Sequence, residues 1–141
     1  MRSALLAIAV VASLALAGCG GGGTTSKADY VKNNEALFKS LPAYPSAKVQ
    51  HETTSAYSSS SGSSLGYQTR FDLTLPSRVP VETLQSFYAG HLQPDWKLVA
   101  QLDGPVLNFR KGDAFVSINL TSAPTKQLEI TVDQAYYSLA G

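Results

Sequence analysis

Apolar positions recur at helical spacing twice along this chain and at strand spacing several times, and the two periods divide it into elements. Tyr30, Val31, Asn34, Leu37, Phe38 and Leu41 fall three or four residues apart, a stripe that Asn34 partly interrupts. Ser26 with Asp29 three residues on marks the start of this helix, because a hydroxyl and a carboxylate both suit the amides at its positive end. Pro42 ends it, and Pro45 biases Tyr44 toward extended backbone, so 44–47 reads as a turn. Residues from Ala47 to Tyr57 are Thr-rich and strand-compatible but alternate weakly. Tyr67, Phe71, Leu73 and Leu75 alternate cleanly with Gln68, Arg70, Asp72 and Thr74, which predicts a strand. The Ser/Gly tract from Ser58 to Ser64 reads as a long mobile hairpin tip between the two.

Pro80 suits a first helical position, and Val81, Leu84, Phe87, Tyr88 and Leu92 stack on one face of a second amphipathic helix. Gly90 weakens its last turn and Pro94 stops it. Four short strands follow, Trp96 to Leu102, Val106 to Arg110, Ala114 to Thr121 and Gln127 to Gln134, separated by Gly, Pro, Asp and Ser turn signals. The connections are too short for crossovers, so antiparallel neighbours are expected. The predicted fold is α+β: an antiparallel twisted sheet of about six strands with one amphipathic helix packed on it and an additional N-terminal helix. Phe71, Leu84, Phe87, Trp96, Leu98, Phe109, Ile118 and Ile130 are expected to meet in its core.

Ahead of these elements, Arg2 precedes an uncharged apolar run from Ala4 to Leu16. A bilayer-spanning helix needs roughly 20 apolar residues, and this run gives way to Gly20-Gly21-Gly22-Gly23 before reaching that length. It reads as a signal-peptide core closed by Leu16-Ala17-Gly18-Cys19. With that motif and the preceding core, the chain resembles bacterial lipoproteins. The resemblance implies that the Cys19 sulfur receives a diacylglyceryl group, that the peptide is cut before Cys19, and that the new amino terminus takes a further acyl group such as palmitate. Two or more chains anchor stably where one holds only marginally, at roughly 0.8 kcal/mol per buried CH₂. The implied organisation is a signal peptide over 1–18, a lipidated cysteine with a Gly/Thr/Ser tether over 19–26, and a single α+β domain over 27–137. Seven such residues hold the domain on the order of 15 Å from the bilayer.

A second resemblance, to small secreted lipoproteins of actinobacterial type with domains of unknown function, rests on Leu41-Pro42-Ala43-Tyr44-Pro45-Ser46-Ala47, Phe87-Tyr88 with Leu92, and Trp96. It implies a location and a layout, and no mechanism.

Charge narrows the function classes. Cleavage before Cys19 removes Arg2, leaving ten of the 11 basic residues against 10 acidic ones. The basic residues are scattered, so no electrostatic footprint for nucleic acid is expected. Cys19 is the only cysteine, which excludes an intramolecular disulfide.

Candidate chemistry is sparse. Gly62-Ser63-Ser64-Leu65-Gly66 matches the nucleophile-elbow string, but a strand rather than a helix follows it, so Ser64 reads as a loop serine before it reads as a nucleophile. His51 and His91 stand forty residues apart with no partner at metal-ligand spacing; His51 is expected on a strand surface and His91 at a helix C-terminus. Asp95, Asp103, Asp113 and Asp133 are expected at turns or strand ends, where Asp bonds local backbone. Tyr136-Tyr137 reads as an aromatic pair finishing an edge strand. Gly20 to Gly23 lacks the strand, helix and Lys-Ser or Lys-Thr of a phosphate loop. No cofactor, metal or catalytic residue is expected. The expected function is that of a lipid-anchored, non-enzymatic cell-envelope protein on the extracytoplasmic side of the cell membrane, serving as an interaction or accessory module. The alternative is a small hydrophobic-ligand-binding lipoprotein with a helix-on-sheet pocket; a serine hydrolase using Ser64 ranks third.

Overall fold

Ser26 and Asp29 form a reciprocal capping box: the Asp29 amide donates to Ser26 Oγ at 3.2 Å, and the Ser26 amide donates to Asp29 Oδ2 at 3.2 Å. The computed structural model describes residues 25–59, 62, 64–101, 105–120 and 125–140. From the cap runs α1, Lys27–Ser40, then β1, Lys48–Ser58, β2, Leu65–Val79, and α2, Val81–Leu92. Four strands follow: β3, Lys97–Gln101, β4, Val106–Lys111, β5, Ala114–Asn119, and β6, Thr125–Asp133. A short helix, α3, covers Tyr136–Ala140.

The six strands form one antiparallel sheet in the order β1-β2-β6-β5-β4-β3, and the fold is α+β. The topology follows from one helical connection. The β1–β2 hairpin is local, but α2 carries the chain away from β2, and β3 begins the sheet again at the far edge. Hairpin connections then work back through β4 and β5 until β6 pairs with β2, Phe71 opposite Ile130 and Leu73 opposite Leu128.

Strand alternation gives the sheet two different faces. Phe71, Leu73 and Leu75 of β2, Leu128, Ile130 and Val132 of β6, Val116 and Ile118 of β5, and Leu107 and Phe109 of β4 are buried on one face. Both long helices contribute to this core, α1 through Leu37 and its C-terminal cap Leu41, α2 through Leu84, Tyr88 and Leu92. Each such fully buried side chain is worth roughly 1.5–3 kcal/mol relative to exposure. Of the expected core, Phe71, Leu84, Trp96, Phe109, Ile118 and Ile130 are buried, whereas Phe87 and Leu98 are half-buried against its rim. Phe87 fills that rim edge-on to Tyr44 at 5.1 Å and to Tyr88 at 5.0 Å.

Two local expectations are corrected. Pro80 is the residue before the helix rather than its first member, so α2 starts at Val81 and its amides bond back to the Pro80 carbonyl. Tyr136 and Tyr137 begin α3 instead of finishing an edge strand, and β6 lies inside the sheet. Ser26 caps α1, as its spacing to Asp29 predicts.

Candidate functional site

The second face of the sheet is polar, and its side chains come from the alternate positions of the same strands. The register places His51 of β1 opposite Asp72 of β2, Asp72 opposite Glu129 of β6, and Glu129 opposite Asn119 of β5, a row across four strands. Carboxylates on directly facing positions repel. Arg70, two residues before Asp72, offsets this: its Nε is 3.4 Å from Asp72 Oδ1 and its Nη1 3.8 Å from Glu129 Oε2. His51, Arg70, Asp72 and Glu129, with Gln50, Thr74 and Gln127, line an open cleft of about 470 Å³. Its charged side chains remain a third to a half exposed, so they present hydrogen-bonding groups to whatever lies on the sheet.

One end of the same face is closed. Phe115 of β5 stacks on Tyr136 of α3 at 4.8 Å, and Tyr57 of β1 approaches Tyr136 at 5.8 Å. A Cβ at Gly66 would strike the Tyr57 ring and Leu139, so glycine is what lets α3 and β1 close there. Beneath them Asp133 is buried, its Oδ1 accepting the Ala135 amide at 2.8 Å. Burial pushes the Asp133 carboxyl above its ordinary range, against the opposing pull of the nearby Tyr57 hydroxyl and the Ala135 amide. Tyr57 is pushed up by burial and by the same carboxylate. Tyr57 Oη and Asp133 Oδ2 nonetheless lack hydrogen-bond geometry to any described residue.

Asn34 completes this junction from the core side. Its amide nitrogen donates to the Tyr67 carbonyl at 2.9 Å and to Thr69 Oγ1 at 3.2 Å, and its Oδ1 accepts the Gln134 amide. Thr54 Oγ1 lies 3.0 Å from Thr69 Oγ1, extending the network to β1. Neither Asn34 nor Asp133 stood out in sequence as a buried polar centre. Asn34 was visible only as a polar residue inside a helical stripe, and Asp133 only as one more carboxylate at a strand end.

The structure separates the residues singled out earlier. Ser64 closes the β1–β2 hairpin, its carbonyl accepting the Ser59 amide at 2.9 Å, and β2 follows at once. His51 is seven residues down β1 from Ser58, the partner of Leu65, which at roughly 3.3 Å per residue sets it about 23 Å from that end of the hairpin. His51 is exposed, as a strand-surface histidine should be. His91 Nδ1 lies 2.7 Å from the Phe87 carbonyl oxygen, and its ring packs on Phe87 at 4.3 Å in the last turn of α2.

Asp95 meets Lys111 at 3.8 Å, and Asp113, in the β4–β5 turn, accepts the Ser138 hydroxyl at 2.6 Å. Arg110 and Lys111 are exposed at the end of β4, with Arg110 Nε donating to the Gly112 carbonyl at 2.9 Å. Cys19, the motif before it, Gly20 to Gly23 and Asp103 lie outside the described residues. Among the described residues no three His, Cys, Asp or Glu side chains converge to hold a metal ion, and no helix is long and apolar enough to cross a membrane. No protein-family model, curated protein or solved structure matches this chain.

Proposed function

We propose that the protein is a non-enzymatic accessory module, held on the extracytoplasmic side of the cell membrane by acylated Cys19, that meets an envelope partner through the open face of its sheet. The observation that carries the reading is the position of the single cysteine: it closes Leu16-Ala17-Gly18 after an uncharged run, and Gly20 to Ser26 then separate it from the capped start of α1. The polar row from His51 to Asn119 supports the second half, because it leaves hydrogen-bonding groups presented on one side of a sheet whose other side is packed.

Mass spectrometry of membrane-extracted protein tests the anchor. The expected product begins at Cys19 and carries diacylglyceryl and acyl masses, and Cys19→Ser moves the protein to the soluble fraction. An unmodified, freely soluble mature chain overturns the anchor. Crosslinking on intact membranes tests the face: Arg70→Glu is expected to reduce partner recovery, and recovery equal to wild type removes the cleft from the account.

A further inference from the structure

The two edges of the sheet are guarded differently. β3 is five residues long, starts at Lys97 and is broken by a bulge between Leu98 and Ala100, devices that keep an edge from pairing. β1 spans eleven residues, and beyond its bulge between Val49 and His51 the register with β2 runs without interruption to Ser58. That stretch is rich in Thr and Ser, lacks proline and carries one full charge, Glu52. His51, Glu52, Thr53, Ser55 and Ala56 are exposed, while α1 and α3 lie against β2 and the strands beyond it.

The ladder identifies the free backbone groups of β1. The Ser59 amide donates to the Ser64 carbonyl at 2.9 Å, and bonded and non-bonded pairs alternate from there along the antiparallel register. His51, Thr53, Ser55 and Tyr57 therefore bond to β2, whereas Glu52, Thr54 and Ala56 aim their amides and carbonyls outward, where the sheet ends. The 3.0 Å approach of Thr54 Oγ1 to Thr69 Oγ1 agrees, because side chains come closest at non-bonded pairs.

We infer that β1 is a homodimer interface: two copies pair β1 to β1 antiparallel about a two-fold axis at Thr54, continuing the sheet from one protomer into its partner. Outward groups must meet outward groups, which restricts the register. An axis at Glu52 sets two carboxylates face to face, and one at Thr53 leaves them diagonal neighbours. The axis at Thr54 places Glu52 opposite Ala56 of the second copy and Thr54 opposite itself, each pair exchanging both backbone bonds. Between them Thr53 meets Ser55 and His51 meets Tyr57, in the close pairs where ring contacts contribute most; an axis at Ser55 forgoes the His51 contact. The strand is thus complementary to itself, its one charge facing a methyl and its two rings facing each other. The interface depends neither on acylation of Cys19 nor on a partner in the polar cleft, so it fails separately from them.

Sedimentation velocity of the full chain in detergent, from low micromolar to near-millimolar concentration, is expected to show a monomer–dimer equilibrium. Amide exchange at Glu52, Thr54 and Ala56 should slow as concentration rises. Ala56→Glu sets like charges opposite each other at both ends of the pairing and should weaken the dimer about fivefold; Glu52→Lys added to it turns both repulsions into attractions and should restore it. Ala56→Pro, which removes an outward amide and no bond to β2, should leave a monomer with the circular dichroism of the folded chain. A chain monomeric throughout, a dimer whose three amides exchange as fast as in dilute solution, Ala56→Glu dimerising like wild type, or no restoration by Glu52→Lys each overturns the inference.

Discussion

Asn34 Oδ1 accepts a hydrogen bond from the Gln134 backbone amide at 2.9 Å, joining the first helix to the end of the last strand across 100 positions of chain. The same side chain donates to β2, so one amide group fastens α1 to both strands of the central seam. Asn34→Ala removes the side-chain partner of the Tyr67 carbonyl and of the Gln134 amide within a packed region. Unsatisfied buried groups cost about 1–3 kcal/mol each, so urea unfolding should register a loss of at least about 2 kcal/mol. A change under about 0.5 kcal/mol would mean that water serves these groups equally well.

Asp133 makes stability depend on pH in the less common direction. Its carboxyl pKa is raised in the folded state above the ordinary 3.8, chiefly by burial. The stability contributed by its protonated form is therefore complete below the unfolded value and is lost as pH rises through the folded one. Asp133→Asn should flatten the urea midpoint against pH above 3.8 relative to wild type. Parallel profiles for the two chains would show that the carboxyl stays charged, served by Ala135 alone.

Two glycines should respond in opposite senses to the same substitution. Gly66→Ala drives a methyl into Tyr57 and Leu139, an overpacking that costs about 1–3 kcal/mol. Gly90→Ala meets open space inside α2 and should stabilise by about 0.5–1 kcal/mol. Thermal unfolding of both variants decides the matter, and equal midpoints would contradict the close approach at Gly66.

Removal of Arg70 tests the polar row. Its ion pairs are exposed enough that Arg70→Ala should cost no more than about 1 kcal/mol, most of it from Asp72 and Glu129 left facing each other. The loss should shrink in concentrated salt, which screens that repulsion. A salt-independent loss would point to packing by the Arg70 stem instead.

Much of the architecture was legible because it rests on local signals. The alternation from Tyr67 to Leu75 marks β2, Ser26 with Asp29 marks the start of α1, and short polar connections mark the strands after Trp96. The β2–β6 pairing was not, since no turn joins the two strands and only the closed sheet brings them together. The same distance hid Asn34 and Asp133, whose surroundings are contributed by segments remote in sequence. Tyr136 misled for another reason: five residues carry too weak a local preference to separate a helical turn from a strand end, and the stacking of Tyr136 on Phe115 accompanies the helical outcome.

The β2–β6 seam also orders events during folding. The β1–β2 pair and the β3-to-β6 meander each zip up from neighbouring residues, with little loop entropy to overcome, whereas the seam must close a loop containing α2 and three strands. Until it closes, Phe71 and Ile130 each lack the other half of the hydrophobic floor, and the nascent sheet has two extra unpaired edges through which separate chains could associate.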